Sequence, residues 1–172
     1  MLRISLFLLF LFASFLYSFT GVGEGASAVS EVKHVAKPDL CAELFRDMQL
    51  EGKVNYTAFR QAVTGYYRIT QRKRDILTLI DFSKPSTEKR LYVFDMKEKK
   101  MLFSSVVAHG KNSGGVYATS FSNEYGSYKS SLGFYLTAST YQGKNGYSLI
   151  LDGLEKGIND RARERAIVVH GA

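Results

Sequence analysis

Apolar and polar positions divide the chain into stretches of different texture. An almost unbroken apolar run covers residues 4–19, and a polar stretch follows as far as Pro38. In residues 39–74 the apolar side chains recur at helical spacing, which is typical of amphipathic helices. From residue 75 onward, short apolar runs of strand length dominate. The pattern predicts a mostly β domain preceded by a small helical segment.

Two helices are predicted within residues 39–74. Asp39 and Asn55 can cap them, because a side-chain oxygen at the start of a helix accepts a hydrogen bond from a free backbone amide. Gly52 is expected to mark the end of the first helix. The apolar stripe of the second helix is expected at Phe59, Val63, Tyr66 and Tyr67.

Short apolar runs predict the strands of the β domain. They are expected, in chain order, at residues 76–82, 91–95, 101–107, 132–138, 147–151 and 166–169. The first of these runs is mostly apolar and the last is continuously apolar, which indicates buried strands. Lysine-rich residues 97–100 predict a hairpin turn, and residues 159–165 can form one polar helical turn. Residues 110–131 are rich in Gly, Ser, Asn and Tyr and predict a long loop, which is usually functional or disordered.

The start of the chain has the layout of a secretory signal. One positive charge, Arg3, precedes the apolar run of residues 4–19, which is shorter than the about 20 apolar residues that a membrane span needs. Small residues at Ala26 and Ala28 suit a cleavage site. We therefore interpret residues 1–28 as a signal peptide and residues 29–38 as a linker, and we expect an exported protein without a stable membrane span after signal removal. An uncleaved N-terminal anchor is the alternative.

The net charge of +7 is spread along the chain. Its densest run, Arg72-Lys73-Arg74, is followed directly by Asp75, which is typical of a solvated face and not of a nucleic-acid patch. A basic exported protein is attracted to anionic surfaces such as cell-wall polymers or lipid headgroups. Because the charge is scattered and its densest run is typical of a solvated face, no nucleic-acid partner is expected.

Cys41 is the single cysteine among the 172 residues, which excludes an internal disulfide framework. Roughly 140 residues remain after signal removal, enough for one domain with a real core. We therefore expect stability to come from packing. Cys41 lies beside Leu40, Leu44 and Phe45 on the predicted helix, which favours a small buried core residue over a nucleophile.

His170 is the most informative candidate for chemistry. It follows a continuous apolar strand and precedes Gly171, and a side chain at such a strand end can point into a cleft. A histidine there can take and return a proton near neutral pH, although an ordinary strand-end histidine is the alternative. His34 and His109 do not complete the closely spaced pattern of a zinc hydrolase, so no metal site is expected. No serine lies in a Gly-x-Ser-x-Gly elbow.

Several ordered motifs in the second half of the chain, read together, resemble one family. These segments are residues 81–86, 107–114, 118–123, 126–135, 146–149, 151–154 and 159–172. Over roughly residues 40–172 the chain closely resembles the murein L,D-transpeptidase catalytic domain family, a branch of the YkuD-like enzymes. Several ordered motifs over that length are far more specific than any one of them alone.

The resemblance implies a YkuD-like β-fold, with residues 75–172 as part of the catalytic domain, and the chemistry of a cysteine peptidyltransferase. In the family a cysteine thiolate attacks the diaminopimelate carbonyl of a peptidoglycan stem tetrapeptide and expels D-alanine, and an amine of a neighbouring stem takes the acyl group. His170 and Gly171 match the segment of the family's base, and by weaker analogy Gly133 and Tyr135 line the substrate cleft.

The same resemblance implies peptidoglycan stem peptides as partners and a location in the periplasm or cell envelope. It implies no metal or organic cofactor, because the cysteine, the histidine and backbone amides carry the reaction. No oligomeric state follows from the sequence.

In one respect the chain departs from the family pattern. The family's nucleophile belongs to a Ser-x-Gly-Cys motif a short loop after the His-Gly segment, whereas this sequence ends two residues after His170. Cys41 matches nothing in that motif. We therefore expect the front part of an exported L,D-transpeptidase, with a β-fold incomplete at the C-terminus and no activity in the 172-residue polypeptide. Two alternatives stay open: a non-catalytic peptidoglycan-binding module, and an unrelated exported hydrolase that uses His170 with a serine or a metal.

Overall fold

The computed structural model describes residues 39–171. The signal peptide expected over residues 1–28 and the linker expected over residues 29–38 lie outside the described residues, as does Ala172. Along the described chain the elements are α1 (Leu40–Asp47), α2 (Tyr56–Arg68), β1 (Ile76–Ile80), β2 (Leu91–Asp95), β3 (Lys100–Ser105), β4 (Tyr135–Gly143), β5 (Gly146–Gly153) and β6 (Val168–His170).

Within residues 39–171 the strands form two three-stranded antiparallel sheets. Sheet 1 has the order β1-β2-β3, and sheet 2 has the order β4-β5-β6, so β2 and β5 are the central strands. The two short helices precede both sheets in the chain. This arrangement confirms the mostly β class with a small helical segment in front of it.

Both predicted helix caps are confirmed. The Asp39 carboxylate accepts a hydrogen bond from the Cys41 amide at 3.1 Å. The Asn55 side-chain oxygen accepts one from the Ala58 amide at 3.0 Å. Each cap therefore satisfies an amide that has no partner inside its own helix.

The expected end of the first helix at Gly52 is wrong, because α1 ends at Asp47. Gln49 adopts a left-handed backbone conformation with φ of 54°. The Leu50 amide then donates to the Phe45 carbonyl at 3.1 Å, across the last turn of the helix. This is the hydrogen-bond pattern of a Schellman motif, which ends a helix even where the left-handed residue is not glycine.

The apolar core lies between the helices and sheet 1. Phe59 of α2 and Phe94 of β2 are fully buried with ring centroids 5.4 Å apart, and Phe45 of α1 lies 5.3 Å from Phe59. Edge-to-face rings of this kind add to the free energy gained from burial. The predicted stripe of α2 is confirmed except at Tyr67, which is 48% exposed. Tyr66 is buried as predicted, and Tyr67 cannot share its position because neighbouring residues of a helix point about 100° apart.

The apolar runs predict buried strands at both ends of the β domain, but β1 and β6 are edge strands. In β1 only Leu79 is buried, and Ile76 is 40% exposed. In β6 both Val168 and Val169 are half-buried. The expectation of buried strands is therefore wrong, because each strand has a neighbour on one side only.

Sheet 2 differs from sheet 1 in what its strands bury. Among the described residues of β4, β5 and β6, Ser148 is the one buried side chain, and no apolar side chain is fully buried. β4 also begins later and extends further than residues 132–138, where the sequence predicts it. Hydrophobic burial alone therefore does not account for the position of sheet 2.

The long loop is confirmed, since no helix or strand occurs in residues 106–134 of the described chain. Polar contacts order it: Ser113 is fully buried, and its hydroxyl accepts a hydrogen bond from the Ser130 amide at 2.8 Å. Residues 156–166 form successive turns, and the Arg165 amide donates to the Arg161 carbonyl at 3.0 Å as in one helical turn.

Candidate functional site

His170 lies at the end of β6, on the outer edge of sheet 2. The antiparallel register places it opposite Ser148 of β5. The imidazole is exposed, and its Nδ1 lies 2.6 Å from the Gly171 carbonyl oxygen. A proton on Nδ1 is donated to that carbonyl, which leaves Nε2 as the nitrogen that can accept a proton from another group. The geometry is therefore compatible with a general base.

Gly133 precedes β4 in a conformation that favours glycine. Its φ is 105°, and a Cβ at this position would collide with the Glu155 carboxylate and lie 2.7 Å from Asn159 Nδ2. The Phe134 amide donates to the same carboxylate at 2.7 Å. Gly133 thus brings the chain close to residues 155–159, and its turned backbone delays the start of β4.

Tyr135, the first residue of β4, is half-buried. Its hydroxyl donates to the Ser131 carbonyl at 2.9 Å, and burial raises the pKa of the Tyr135 phenol. The phenol therefore stays protonated near neutral pH and acts as a donor. In this position it fastens the last part of the long loop to the start of β4.

The register of sheet 2 separates these predicted site residues into two groups. Tyr135 pairs with Gly153 of β5, whereas His170 pairs with Ser148. Gly153 and Ser148 are five residues apart on β5, which corresponds to about 17 Å along an antiparallel strand. Tyr135 and His170 also lie on opposite sides of β5, because β4 and β6 are its two neighbours. The structure thus places Gly133 and Tyr135 together, and His170 and Gly171 together, but at different ends of the sheet. Their roles in catalysis and substrate binding stay predictions.

Asn159 organises the end of the sheet at which Gly133 lies. It is fully buried, and its Nδ2 donates to the Leu132 and Phe134 carbonyls at 3.1 and 3.0 Å. Its Oδ1 accepts a hydrogen bond from the Glu155 amide at 2.8 Å. Sequence reasoning missed this role, although the residue lies in a motif that carries the family resemblance. A polar residue that shows no periodicity gives no sign of burial.

Arg165 holds the long loop from the other side. Its Nη1 donates to the Ser122 carbonyl at 2.7 Å, and its Nη2 donates to the Lys129 carbonyl at 2.6 Å. Further bonds reach the hydroxyls of Ser127 and Ser131. One guanidinium therefore fixes four positions of the loop, as its fork of five N–H donors permits.

A second arginine anchors the beginning of the loop. Arg90 is fully buried, and its Nε and Nη2 donate to the Val107 carbonyl at 3.0 and 2.8 Å. Its Nη2 also lies 2.8 Å from His109 Nδ1, so this nitrogen must accept and the proton belongs on Nε2, which faces the Gly114 carbonyl at 3.3 Å. Burial lowers the pKa of Arg90, and the charge of Asp81 opposes that change.

Cys41 has the environment of a packing residue. It is partly buried on α1 and packs against the aromatic core of the helical segment. Burial raises the pKa of the Cys41 thiol, and the charge of Asp39 raises it further. Reactive cysteines have a lowered pKa that favours the thiolate. The thiol is therefore unsuited to nucleophilic attack where it lies.

The described residues offer neither a metal-binding cluster nor a membrane-spanning helix. Residues 39–171 contain no group of three or more His, Cys, Asp and Glu side chains arranged to hold a metal ion. None of the helices in the same range has the length and apolar character to cross a bilayer.

Within residues 39–171 the chain thus has two antiparallel sheets, a helical segment ahead of them and a His-Gly pair at the end of the last strand. The family model described as L,D-transpeptidase catalytic domain matches residues 50–172, from the connection between α1 and α2 onward. The chain belongs to this family, YkuD_2, which confirms the resemblance found in the sequence. No curated protein and no solved structure matches the chain.

Proposed function

We propose that the chain belongs to an exported peptidoglycan L,D-transpeptidase, a cysteine peptidyltransferase that forms cross-links between stem peptides. The observation that carries this proposal is the family match over residues 50–172, which includes the His170-Gly171 strand end. The Nε2 of His170 adds support, because an acyl transfer through a thiol needs a base that takes the proton of the thiol. The periplasm or cell envelope follows as the place of action.

In the proposed reaction His170 takes the proton of a cysteine thiol, and the thiolate attacks the diaminopimelate carbonyl of a stem tetrapeptide. A carbon–sulfur bond forms, the amide bond to the terminal D-alanine breaks, and the leaving amine receives the proton from the imidazole. An amine of a second stem then attacks the thioester: a carbon–nitrogen bond forms the cross-link, the carbon–sulfur bond breaks, and the amine proton passes through the imidazole to the released thiolate. Backbone amides near the cysteine stabilise the oxyanion.

The surroundings of Cys41 support a further part of the proposal: the 172-residue polypeptide does not carry out this reaction by itself. We expect no release of D-alanine when the purified polypeptide is incubated with a disaccharide tetrapeptide. Release above the blank would contradict this part of the proposal. Carboxymethylation of Cys41 would then decide whether that thiol is responsible.

Sequencing the gene through and beyond codon 172 tests the proposal as a whole. A reading frame that continues into a Ser-x-Gly-Cys motif supports a cysteine peptidyltransferase. In that gene product, His170→Ala should lower D-alanine release by about 100-fold or more, since a general base contributes about 10²–10⁴-fold. His34→Ala is the matched control and should leave the rate unchanged.

Export is proposed from the sequence of residues 1–28 alone. Mass spectrometry of the protein recovered from the cell envelope should show a new N-terminus near Ala28. A mass that includes Met1 would contradict cleavage and favour an uncleaved anchor.

Non-catalytic binding to peptidoglycan is the second candidate function. It is favoured by Cys41, whose raised pKa and packing against the core leave His170 without a suitable thiol in the described chain. This candidate predicts cooperative unfolding of the polypeptide and co-sedimentation with isolated sacculi, without D-alanine release. A stop at codon 172 of the gene would favour it over the transferase.

A further inference from the structure

A cavity of about 300 Å³ opens where the connection between α1 and α2 meets sheet 1. It is lined by Lys53, Lys84, Lys89, Tyr92, Met101 and Ser104, and we call it the lysine pocket. Lys53 comes from the helical segment, and two lysines come from the β1–β2 connection. The pocket is distinct from the strand end that carries His170, because its strand residues belong to sheet 1.

The Tyr92 hydroxyl joins the two segments that carry the lysines. Tyr92 is 2% exposed, and its one O–H proton is shared between the Lys89 carbonyl at 2.7 Å and the Lys53 carbonyl at 3.1 Å. The same oxygen accepts a hydrogen bond from Lys84 Nζ at 3.2 Å. The backbone positions of Lys53 and Lys89 are therefore fixed before any ligand arrives, which lowers the entropic cost of binding.

Acidic neighbours balance only part of the positive charge of the pocket. Lys84 forms an ion pair with Glu88 at 3.5 Å, but the Glu88 side chain is 57% exposed. Within residues 39–171 neither Lys53 nor Lys89 forms a salt bridge, and both side chains are exposed. The hydrogen bond with Tyr92 raises the pKa of Lys84, so the ammonium group keeps its charge near neutral pH. Lys53 and Lys89 therefore leave the cavity with an excess of positive charge, which attracts an anion.

The wall of the pocket also has an apolar part. The half-buried side chain of Met101 supplies it, whereas Tyr92 is 2% exposed and offers little surface. This lining would suit a ligand that combines an anionic group with a small apolar group. The terminal D-alanine of a stem peptide has this composition, with a free carboxylate next to a methyl group. A bare phosphate chain would use the lysines but leave the apolar wall without a partner.

We propose that the lysine pocket binds the free carboxylate of a peptidoglycan stem peptide, as an accessory site outside the acyl-transfer centre. This inference rests on the proposed function, because that function supplies the class of ligand. The pocket holds a stem of the wall polymer at sheet 1 and thereby keeps the protein on its substrate between reactions. It requires no covalent step.

The test compares two double variants of the full chain, each of which loses two positive charges. Lys53→Gln with Lys89→Gln removes the exposed charges of the pocket, whereas Lys97→Gln with Lys100→Gln removes two exposed charges at the tip of the β2–β3 hairpin. Circular dichroism first establishes that both variants are folded. Co-sedimentation with sacculi and NMR titration with free stem tetrapeptide then give the dissociation constants.

We expect the pocket variant to bind both probes about fivefold to thirtyfold more weakly than the wild type, and the hairpin variant less than about twofold more weakly. Equal weakening in the two variants would overturn the pocket and leave the transferase proposal intact. If millimolar inorganic phosphate displaces the tetrapeptide at a lower concentration than acetate does, the pocket prefers phosphate. That result would overturn a carboxylate ligand in favour of a phosphate-rich polymer. A wild type that binds neither probe also overturns the pocket. The transferase proposal is decided separately, by D-alanine release from the gene product whose reading frame continues into the Ser-x-Gly-Cys motif.

Discussion

Sheet 1 and sheet 2 have the same number of strands but are held in place by different forces. Sheet 1 packs on α1 and α2 through buried aromatic rings, among them Phe59 and Phe94. Sheet 2 has no fully buried apolar side chain among its described strands, and its surroundings are fixed by hydrogen bonds from Asn159 and Arg165. Hydrophobic burial is non-directional, whereas a buried polar group needs a partner at one position.

The difference indicates where the molecule can open. Regions with few buried apolar contacts open locally at a lower free energy than the packed core. Sheet 2 and the long loop belong to that class, and they carry Gly133, Tyr135 and His170, with Gly171 directly after β6. Sheet 1 with its helices then acts as the stable support on which the more easily opened half is built.

The strongest test of the comparison is in the core. Phe59→Ala should lower the free energy of unfolding by about 3–5 kcal/mol, because it removes the centre of the aromatic cluster and leaves a cavity. Denaturant unfolding measures this loss. Tyr67→Ala is the matched control on the same helix and should cost about 1 kcal/mol, because Tyr67 is 48% exposed and loses one edge-to-face contact with Tyr66. Similar losses in the two variants would contradict a core centred on Phe59.

Asn159→Ala should act on sheet 2 alone. The Leu132 and Phe134 carbonyls and the Glu155 amide would each lose a partner, at a cost of about 2 kcal/mol or more in local stability. Hydrogen exchange should accelerate in β4 and the long loop while β2 keeps its protection. Uniform acceleration throughout the chain would show that the two sheets open as one unit.

Gly133→Ala tests whether the stability of sheet 2 depends on the close approach of Gly133 to Glu155. The left-handed φ and the collision with the Glu155 carboxylate should together cost about 1–3 kcal/mol. Gly52→Ala is the control, because Gly52 has a φ of 70° but nothing within 4 Å of an added Cβ. Thermal unfolding of the two variants separates the collision from the backbone strain. A larger loss at Gly52 would contradict the close approach at Gly133.

The smallest expected effect is the pH dependence of an ion pair at sheet 2. Arg163 donates two hydrogen bonds to Asp152 at 2.6 and 2.7 Å, and they hold the pKa of Asp152 below its usual value of 3.8. A folded-state pKa below the unfolded one adds stability above the unfolded value, and this stability is lost as the pH falls through the folded value.

Asp152→Asn should therefore lower the thermal midpoint slightly at neutral pH, and the difference from the wild type should vanish in acid. The effect is small because both side chains are largely solvent-exposed and salt screens them. A difference that is the same at neutral and acidic pH would show that the substitution acts through something other than the charge.

Features that depend on residues close together in the chain can be predicted from the sequence. The caps at Asp39 and Asn55, the hairpin turn before β3 and the whole of β2 follow from local patterns, and the structure confirms them. The edge positions of β1 and β6 do not follow, because an apolar run reads the same in a central strand and in an edge strand. Burial there depends on which strand the chain places alongside.

The candidate site shows the same limit. His170 was accessible to prediction because it directly follows an apolar strand and precedes glycine. Arg165 was not, because its partners Ser122 and Lys129 precede it by 43 and 36 residues, and no local pattern links them. The separation of His170 from Tyr135 likewise comes from the register of β5, which the sequence does not state.

The contacts of Arg165 have a consequence for the order of assembly. The hydrogen bond from Arg165 to Ser122 closes a loop of 43 residues, whereas the β2–β3 hairpin closes one of a few residues. The entropy lost in closing a loop grows with its length, so the distant contact forms after the local ones. During refolding the long loop should therefore be the last part to gain protection from exchange. On unfolding, the same loop is released first, while the helices and sheet 1 are still in place.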